Sequence, residues 1–567
     1  MKHYLKGKGK LFTWGGIIAV VLIMVFVLSS ILMNTEDSQC AVYIKDKELF
    51  YTSTEAEPWQ VTEQFVASNS MDNKSLAEVS SLLNSNVKFS RNGKKIFYIE
   101  NMNSEDGMSI YYRTVNEEGT PQKIASGIQS FELNDKGTLV TYLKSKNGEL
   151  YQHNLQDAQK IASDVEKYFV SRDGEEIVYK KVNGDIYRQS EKDGKQKIAT
   201  GVKTLIHVYE SGKMYYIKEE TQARKAADYV EDDMKKEDDK LITPQAPESP
   251  FMWQYDSKEE YQKASEKYLE EYNSYKKEKE AYEAKLNRDI LRNKMKTEKV
   301  DISLSQLCYY NGNKEIVITE NATGWRTYAK ENEALIYSAC EVATAEKMKI
   351  SQLSSYVTAK EKVEEFLKAE TGYYLAVGTK ISEIEQENAK YISIDDAGKT
   401  IYMIDHVLEN KEEGELYKIK VSNKKARKPK KVDDGVYVYS ASFQEDSYVY
   451  YKDVQTEKKC GDLYMDGKWV DSDVRMGTVR CKGKSIAYIS EWNADRKCGI
   501  LKTYTTRMPV TVHSEVVNYV FLTSGEIVYL CDYDGEKYTG KLSIYDGNES
   551  RKVDDEVVSL IDVNVQK

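Results

Sequence analysis

The chain has 567 residues, of which 31% are charged and 40% are hydrophobic, and its formal net charge is −10 at pH 7. This acidic balance argues against a broad nucleic-acid-binding surface, and seven prolines are too few for a disordered stalk. Forty-four tyrosines favour instead a large folded part that is rich in half-buried strands.

A long apolar segment lies close to the N-terminus. Residues 11–33 contain no charged residue, and Lys2, Lys6, Lys8 and Lys10 precede them. About 20 apolar residues span a bilayer core, and basic residues stay on the cytoplasmic side. We therefore expect a single-pass protein of the cell membrane, with 1–10 as a cytoplasmic tail, 11–33 as the transmembrane anchor and the bulk extracytoplasmic. A cleaved signal peptide is the alternative, although no Ala-x-Ala site is evident.

A repeated sequence motif occupies much of the region 34–220. The motif reads FVSRDGEEIVYKKVNGDIYRQ at 169–189. Similar segments are FSRNGKKIFYIE at 89–100 and LNDKGTLVTYL at 133–143. The turn glycines Gly93, Gly137, Gly174 and Gly212 are 44, 37 and 38 residues apart. This spacing fits four short strands per repeat, so an all-β fold of the β-propeller type is predicted, with 34–220 as the first part of the propeller.

The repeat resembles the WD40-like repeat of TolB-type propellers, which runs Ser-x-Asp-Gly-Lys-x-Ile-x-Tyr and then Gly-x-x-Ile/Leu-Tyr. The matching residues are Ser90, Gly93, Lys94, Ile96 and Tyr98, and Ser171, Asp173, Gly174, Ile177, Tyr179, Gly184, Ile186 and Tyr187. The resemblance covers most of the chain after the first eighty residues, outside one insertion, and it implies the fold. The family's turn Asp is replaced elsewhere, for example by Asn92 or Ser524, which discourages transfer of a TolB role.

The strand pattern stops near Glu219, and 221–300 is predicted to be an inserted α-helical hairpin. Tyrosines recur every seven residues there, at Tyr261, Tyr268, Tyr275 and Tyr282, which makes one helical face aromatic. This face is expected to pack on the partner helix or on the propeller wall. Phe251, Met252 and Trp253 fall near the tip. An exposed apolar cluster of this kind suits docking to a protein partner or to the membrane surface.

The repeats resume in 301–567, the predicted second part of the propeller. Repeats start near nine positions of the sequence, and one further repeat would be shared by the first and last strands. This number of repeats exceeds the usual maximum of eight blades. We expect one ring of about eight four-stranded blades, with irregular stretches between 321 and 390; two rings are the alternative. A final strand at 557–565 is predicted to join the three strands in 41–63 and to close the ring.

Seven cysteines are an odd number for a secreted chain, and four of them lie in the last third: Cys460, Cys481, Cys498 and Cys531. The sequence is compatible both with disulfide bonds among these four cysteines and with buried free thiols.

The sequence has no Gly-x-Ser-x-Gly, His-Glu-x-x-His, Cys-x-x-Cys or phosphate-loop motif. We therefore predict no catalytic residues, no cofactor and no metal, and a chain that is not an enzyme. The predicted function is a membrane-tethered scaffold or sensor that binds a protein or cell-envelope partner and no nucleic acid. The alternative is a carbohydrate-active hydrolase that uses carboxylates in the propeller channel, since such a pair leaves no local motif.

Overall fold

A computed structural model describes residues 40–561 except for 47, 54–56, 63–86, 101–107, 234–241, 341–344, 351–358, 370–371, 409, 440–441, 444–446, 506 and 523–524. The predicted tail at 1–10 and the predicted anchor at 11–33 lie outside these residues. Within the described ranges, none of the helices is sufficiently long and apolar to span a bilayer.

Strands dominate the fold, as predicted. The strands of the first half are β1 Ala41–Lys45, β2 Glu48–Thr52, β3 Trp59–Thr62, β4 Val87–Phe89, β5 Lys95–Glu100, β6 Met108–Thr114, β7 Gln122–Leu133, β8 Val140–Lys144, β9 Leu150–His153, β10 Ala158–Ala162, β11 Val165–Val170, β12 Glu176–Lys181, β13 Ile186–Ser190, β14 Gly194–Ala199, β15 Val202–Val208, β16 Met214–Lys225, β17 Val230–Glu231, β18 Lys299–Tyr310, β19 Glu315–Thr319 and β20 Ala322–Tyr328.

The second half continues with β21 Ala334–Ala339, β22 Met348–Lys349, β23 Gly372–Val377, β24 Lys380–Ile384, β25 Tyr391–Ile394, β26 Thr400–Leu408, β27 Glu413–Ser422, β28 Lys425–Ala426, β29 Lys430–Tyr437, β30 Ser442–Phe443, β31 Tyr448–Gln455, β32 Cys460–Met465, β33 Lys468–Arg475, β34 Arg480–Lys482, β35 Ser485–Asn493, β36 Cys498–Tyr504, β37 Val510–Phe521, β38 Ile527–Asp534, β39 Thr539–Tyr545 and β40 Ser550–Ile561. The described residues also form two α-helices, α1 Lys258–Thr297 and α2 Ala359–Lys368.

Antiparallel pairing groups these strands into ten four-stranded units in chain order. Unit 1 contains β1–β3 and the end of β40, unit 2 β4–β7, unit 3 β7–β10, unit 4 β11–β14, unit 5 β15, β16, β18 and β19, unit 6 β20, β21, β23 and β24, unit 7 β25–β27 and β29, unit 8 β30–β33, unit 9 β34–β37 and unit 10 β37–β40. Long strands such as β7 pair with one unit along their first half and with the next unit along their second half. The described residues thus form more units than the eight or so expected.

The two ends of the chain complete one unit together. Val42 pairs with Ile561, Tyr43 with Leu560 and Ile44 with Ser559, so the end of β40 supplies the first strand of unit 1, followed in the sheet by β1, β2 and β3. The predicted joining of the last strand to the three N-terminal strands is present in this pairing. Closure of this kind leaves neither terminal sheet edge exposed.

Within the described part of the chain, ten apolar clusters connect the units, with one cluster between each pair of neighbouring units. The first buries residues of units 1 and 2, such as Val42 and Phe89. The remaining clusters follow the chain, and the last joins unit 10 back to unit 1 through Val528 and Tyr43. A unit with two apolar faces cannot cover both alone, so this closed cycle is the arrangement that a β-propeller requires.

A buried tyrosine lies on the second strand of every unit, and these residues are ten of the 44 tyrosines. These residues are Tyr43, Tyr98, Tyr142, Tyr179, Tyr216, Tyr337, Tyr402, Tyr450, Tyr488 and Tyr529, each at most 3% exposed. Several stack on an aromatic residue directly opposite on the third strand, as Tyr179 does on Tyr187 at 5.5 Å between ring centroids. Cross-strand aromatic pairs of this type stabilise antiparallel sheets.

Glycines stand where the backbone leaves no room for a side chain. Gly174, in the turn of unit 4, has a φ of +80°, and a Cβ there would lie 2.9 Å from Cβ of Asn134 in unit 3. The chain therefore uses this turn glycine both for the turn and for close approach of neighbouring units.

All seven cysteines are buried free thiols, so the predicted alternative of pairing in the last third is not realised. Burial raises the pKa of Cys531 to about 11. These thiols therefore act as small apolar core residues.

Candidate functional site: an arm with an apolar tip

The insertion in unit 5 forms an arm, defined here as residues 242–297. Strands β16 and β18 pair from Met214–Tyr310 to Lys225–Lys299 and so lead the chain out of the unit as a two-stranded ribbon. β16 continues to Lys225, so the boundary expected at 221 falls inside a strand. The prediction of a helical hairpin is wrong, because the described part of the insertion contains one α-helix, α1, alongside an irregular extended segment at 242–251.

A small apolar core holds the base of the arm. Leu291 and Met295 of α1 are buried with Tyr229, and with Val363 and Phe366 of α2, which belongs to the insertion in unit 6. Two insertions from neighbouring units thus meet at this point.

Ion pairs support the same base. The carboxylate of Asp232 lies 2.8 Å from Arg292 and 2.5 Å from Lys296. Hydrogen bonding from Lys296 lowers the pKa of Asp232, so its charge is retained well into acidic solution. The arm is therefore fixed to the fold at its C-terminal end.

Helix α1 is stabilised at both ends. Its 40 residues correspond to a length of about 60 Å. The hydroxyl of Ser257 accepts a hydrogen bond from the N–H of Glu260 at 3.2 Å and caps the N-terminus. Acidic residues occupy the first turn and basic residues the last turn, which complements the helix dipole. The helix therefore extends the distal end of the arm far from its base.

The extended segment lies along the tyrosine face of α1. Thr243 contacts the hydroxyl of Tyr282 at 3.4 Å, and the ring of Tyr255 lies 6.1 Å from that of Tyr261. Residues 243–251 in polyproline II conformation and the 3₁₀ turn at Met252–Gln254 together cover about 33 Å, and the 21 helical residues between Tyr261 and Tyr282 cover about 32 Å. The two spans match, so the segment runs antiparallel to the helix.

Burial along the segment repeats every three residues. Pro244, Pro247 and Pro250 are half-buried, whereas the residues between them are exposed. A polyproline II helix has three residues per turn, so these prolines share one face. The tyrosines at 261, 268, 275 and 282 are half-buried too. We call these prolines and tyrosines the seam; it replaces the predicted partner helix.

The predicted partner-binding residues lie at the far end of this seam and are solvent-exposed. Phe251 is 55% exposed, Met252 57% and Trp253 80%. The rings of Phe251 and Trp253 stack with centroids 6.2 Å apart. The N–H of Phe251 donates to the side-chain oxygen of Gln254 at 2.9 Å, and the N–H of Gln254 donates to the carbonyl of Phe251 at the same distance. This tip is therefore an ordered apolar surface.

A group of metal-ligating residues that sequence analysis did not identify lies between units 9 and 10. Ligand atoms of His513, Cys531 and Asp532 all lie within 4.8 Å of one another. Nζ of Lys541 forms an ion pair with the Asp532 carboxylate at 3.0 Å. Nδ1 of His513 accepts a hydrogen bond from the N–H of Glu515 at 3.2 Å. Burial raises the pKa of Cys531, and the thiol form that this favours is a poor metal ligand. We therefore assign no metal to this group.

Two carboxylates share a cleft between units 3 and 4 and so invite comparison with the carboxylate pair of the alternative hydrolase. Glu132 and Glu166 line a cavity of 160 Å³ together with Tyr168. Lys88 lies 2.6 Å from Glu132, and the buried Lys180 pairs with Glu166. Glycoside hydrolysis requires one carboxyl group that donates a proton, and an ion-paired carboxylate is poorly suited to this role. This cleft therefore gives the alternative little support.

No protein-family model matches the chain, and no curated protein matches its sequence. Solved structures are similar at low identity. A eukaryotic initiation factor is 8% identical with a TM-score of 0.41, over 93% of this chain and 98% of that chain. Dipeptidyl peptidase 4 of Porphyromonas gingivalis is 10% identical with a TM-score of 0.37, over 85% and 62%. The β-propeller domain of the trilobed protease of Pyrococcus furiosus is 10% identical with a TM-score of 0.29, over 68% and 95%.

The family predicted from the repeat is also represented among the similar structures. TolB of Acinetobacter baumannii is 14% identical with a TM-score of 0.21, over 46% of this chain and 61% of that chain. One of the similar structures is thus a named β-propeller domain. The prediction that the chain is not an enzyme is contradicted, because peptidases are also among them. At these TM-scores the likenesses assign no reaction to this chain.

Proposed function

We propose that the chain is a membrane-tethered extracytoplasmic scaffold, a single ring of ten propeller blades that presents an arm for binding a protein partner. The observation that carries this proposal is the exposure of Phe251, Met252 and Trp253 on an ordered tip far from the ring. Soluble proteins seldom expose a cluster of large apolar side chains without an interaction that covers it.

The tip has the properties of a binding anchor. Its two aromatic rings are already stacked, and backbone hydrogen bonds within 251–254 hold them in place. A partner therefore has little conformational entropy to remove on binding, which favours affinity. Aromatic residues that enter a pocket supply most of the energy of many protein interfaces.

Charge around the tip favours a protein over a lipid surface. Residues 242–263 contain four acidic residues, Glu248, Asp256, Glu259 and Glu260, and two basic residues, Lys258 and Lys263. An acidic patch is repelled by anionic lipid headgroups. It suits an apolar pocket with a basic rim, which is the kind of partner surface that we propose.

The location outside the membrane rests on the sequence of the N-terminal region. A charge-free segment at 11–33 follows four lysines, and this order favours a cytoplasmic N-terminus. Protease added to intact cells should then degrade the ring and the arm. Survival of the full-length chain, under conditions that degrade a known surface protein, would contradict this location.

The partner is tested with a photo-crosslinking residue in the intact chain in living cells. Placed at Gln254, inside the tip, it should give one discrete protein adduct, and Trp253→Ala should remove that adduct at unchanged expression. The matched control places the same residue at Met508, which is 75% exposed on the ring. Adducts only to lipid, or identical adducts from both positions, would contradict the proposal.

A further inference from the structure

A second apolar surface follows α1 on a side that the seam does not cover. Leu269 is 57% exposed, Tyr272 43%, Leu286 36% and Ile290 55%. With the seam tyrosines at position a of a heptad, Leu269 and Ile290 occupy position b, and Tyr272 and Leu286 occupy position e. Positions b and e lie on the same side of a helix, next to a. We call these four residues the outer stripe.

The outer stripe is self-complementary about its centre. If two copies of α1 lie antiparallel with the midpoint between Lys279 and Glu280, Leu269 of one copy faces Ile290 of the other. Tyr272 then lies diagonally beside Leu286, one position from the residue directly opposite. Each of these pairs occurs twice, as a twofold axis requires of an isologous interface. Apolar residues therefore meet apolar residues at both ends of the contact.

Charges follow the same alignment. On the same b and e side, Lys276 of one copy faces Glu283 of the other, and both side chains are exposed. Over a longer range within the helix, residues 262–271 contain three acidic and two basic residues, whereas the facing residues 288–297 contain four basic residues and one acidic residue. A parallel arrangement would place like-charged ends together, which is unfavourable.

We propose that two copies of this chain pair through the outer stripes of their arms, antiparallel and with a twofold axis at Lys279 and Glu280. The occupant of the stripe is thus a second copy of the same chain. The tip, residues 251–253, lies beyond the helix that makes this contact. The pairing therefore does not rest on the proposed function of the tip, and either proposal stands if the other fails.

Site-specific disulfide formation in the full-length chain tests the alignment. Copies with Lys279→Cys should crosslink to one another under mild oxidation, because this position lies next to the axis. Copies with Leu269→Cys should not crosslink alone but should crosslink when mixed with copies that carry Ile290→Cys. Ser274→Cys, exposed on another side of the same helix, is the control and should stay uncrosslinked. Crosslinking of Leu269→Cys copies to one another would overturn the antiparallel alignment.

Charge exchange provides a second test, read by sedimentation of the purified full-length chain. Lys276→Glu and Glu283→Lys should each raise the dimer dissociation constant by about tenfold or more, and the double exchange should restore it. Leu286→Ser with Ile290→Ser should give a monomer, whereas Leu408→Ser, at a ring residue that is 56% exposed, should leave the dimer intact. A wild-type chain that sediments as a monomer, or a double exchange that fails to restore pairing, would overturn the proposal.

Discussion

Tyr43 and Asp554 are separated by 511 positions in the chain, yet the hydroxyl of Tyr43 donates a hydrogen bond to the Asp554 carboxylate at 2.7 Å. Lys45 pairs with the same carboxylate, also at 2.7 Å. Tyr43 lies in β1 and Asp554 in β40, so these contacts connect the two ends of the chain where the ring closes. Burial raises the pKa of Asp554, but hydrogen bonds from Lys45 and Tyr43 outweigh burial, and the pKa is lowered.

Asp554→Ala should weaken the ring closure. The change leaves the buried Tyr43 hydroxyl and the Lys45 ammonium without their partner, at a cost of about 1–3 kcal/mol. Because a carboxyl with a lowered pKa stabilises the fold only while it is ionised, the wild-type advantage should be lost as pH falls below about 4. Thermal unfolding at pH 7 and at acidic pH measures both effects. Asp555→Ala, at a more exposed neighbour, is the control, and an equal loss there would contradict the prediction.

Gly499→Ala should destabilise the contact between the second and third strands of unit 9. A Cβ at Gly499 would lie 2.6 Å from the carbonyl oxygen of Ser490 and 2.6 Å from the side chain of Ile489. Relief requires backbone movement, which costs about 1–3 kcal/mol in a packed core. Gly535→Ala, where a Cβ meets nothing within 4 Å, is the control. Equal unfolding midpoints for the two variants would show that close approach is not the reason for Gly499.

His207→Phe should make stability less dependent on pH. Burial, with Lys167 and Lys330 nearby, lowers the pKa of His207 to about 4. Between this value and about 6.5 the unfolded chain binds a proton that the folded chain does not, so acidification weakens the wild-type fold by up to about 3 kcal/mol.

The rings of His207 and Tyr328 stack with their centroids 4.1 Å apart, and a phenylalanine at position 207 preserves this stacking. Nδ1 of His207 has no hydrogen-bond partner within the described residues, so the substitution sacrifices no such bond at that atom. The measurement compares unfolding midpoints at pH 7.5 and pH 4.5 for both chains. A wild-type chain and a variant that lose the same stability on acidification would contradict the prediction.

Tyr268→Ala with Tyr275→Ala should release the proline-containing segment from α1. These two rings form the middle of the seam, and their loss removes the apolar surface along which the segment lies. A protease that cleaves after aromatic residues should then cut at 251–255 several times faster than in the wild type. The ring should unfold at an unchanged temperature, because the arm base has a separate core. Glu270→Ala, exposed on the same helix, is the control, and equally fast cleavage there would refute the seam.

The repeated unit could be predicted because its signals are local. Gly93, Gly137, Gly174 and Gly212 all have positive φ, so the turn residues of the repeat were visible in the sequence. The described strands form ten units, and the start positions found in the sequence also add up to ten, whereas about eight blades were expected. The expected number of about eight blades followed the usual maximum size of propellers. The apolar clusters between units depend on side-chain packing, which the spacing of repeats in a sequence does not reveal.

Local sequence patterns predicted only part of the structure of the arm. The seven-residue period of the tyrosines correctly placed a long helix, whose bounds are Lys258–Thr297. The prolines at 244, 247 and 250 have a spacing of three, which is the period of a polyproline II helix, but this signal was not used in predicting the insertion. The close approach at Gly499 had no local signal, because it depends on the path of a neighbouring strand.

Since the last residues of β40 complete the unit that β1, β2 and β3 begin, a ribosome must add about 500 residues after β3 before the first three strands acquire their neighbour. During that interval the free edge of β1 is available to other nascent chains. Cells that produce this protein should therefore need a chaperone that shields the N-terminal strands until synthesis ends, and a premature stop codon anywhere before position 557 should yield an aggregation-prone product.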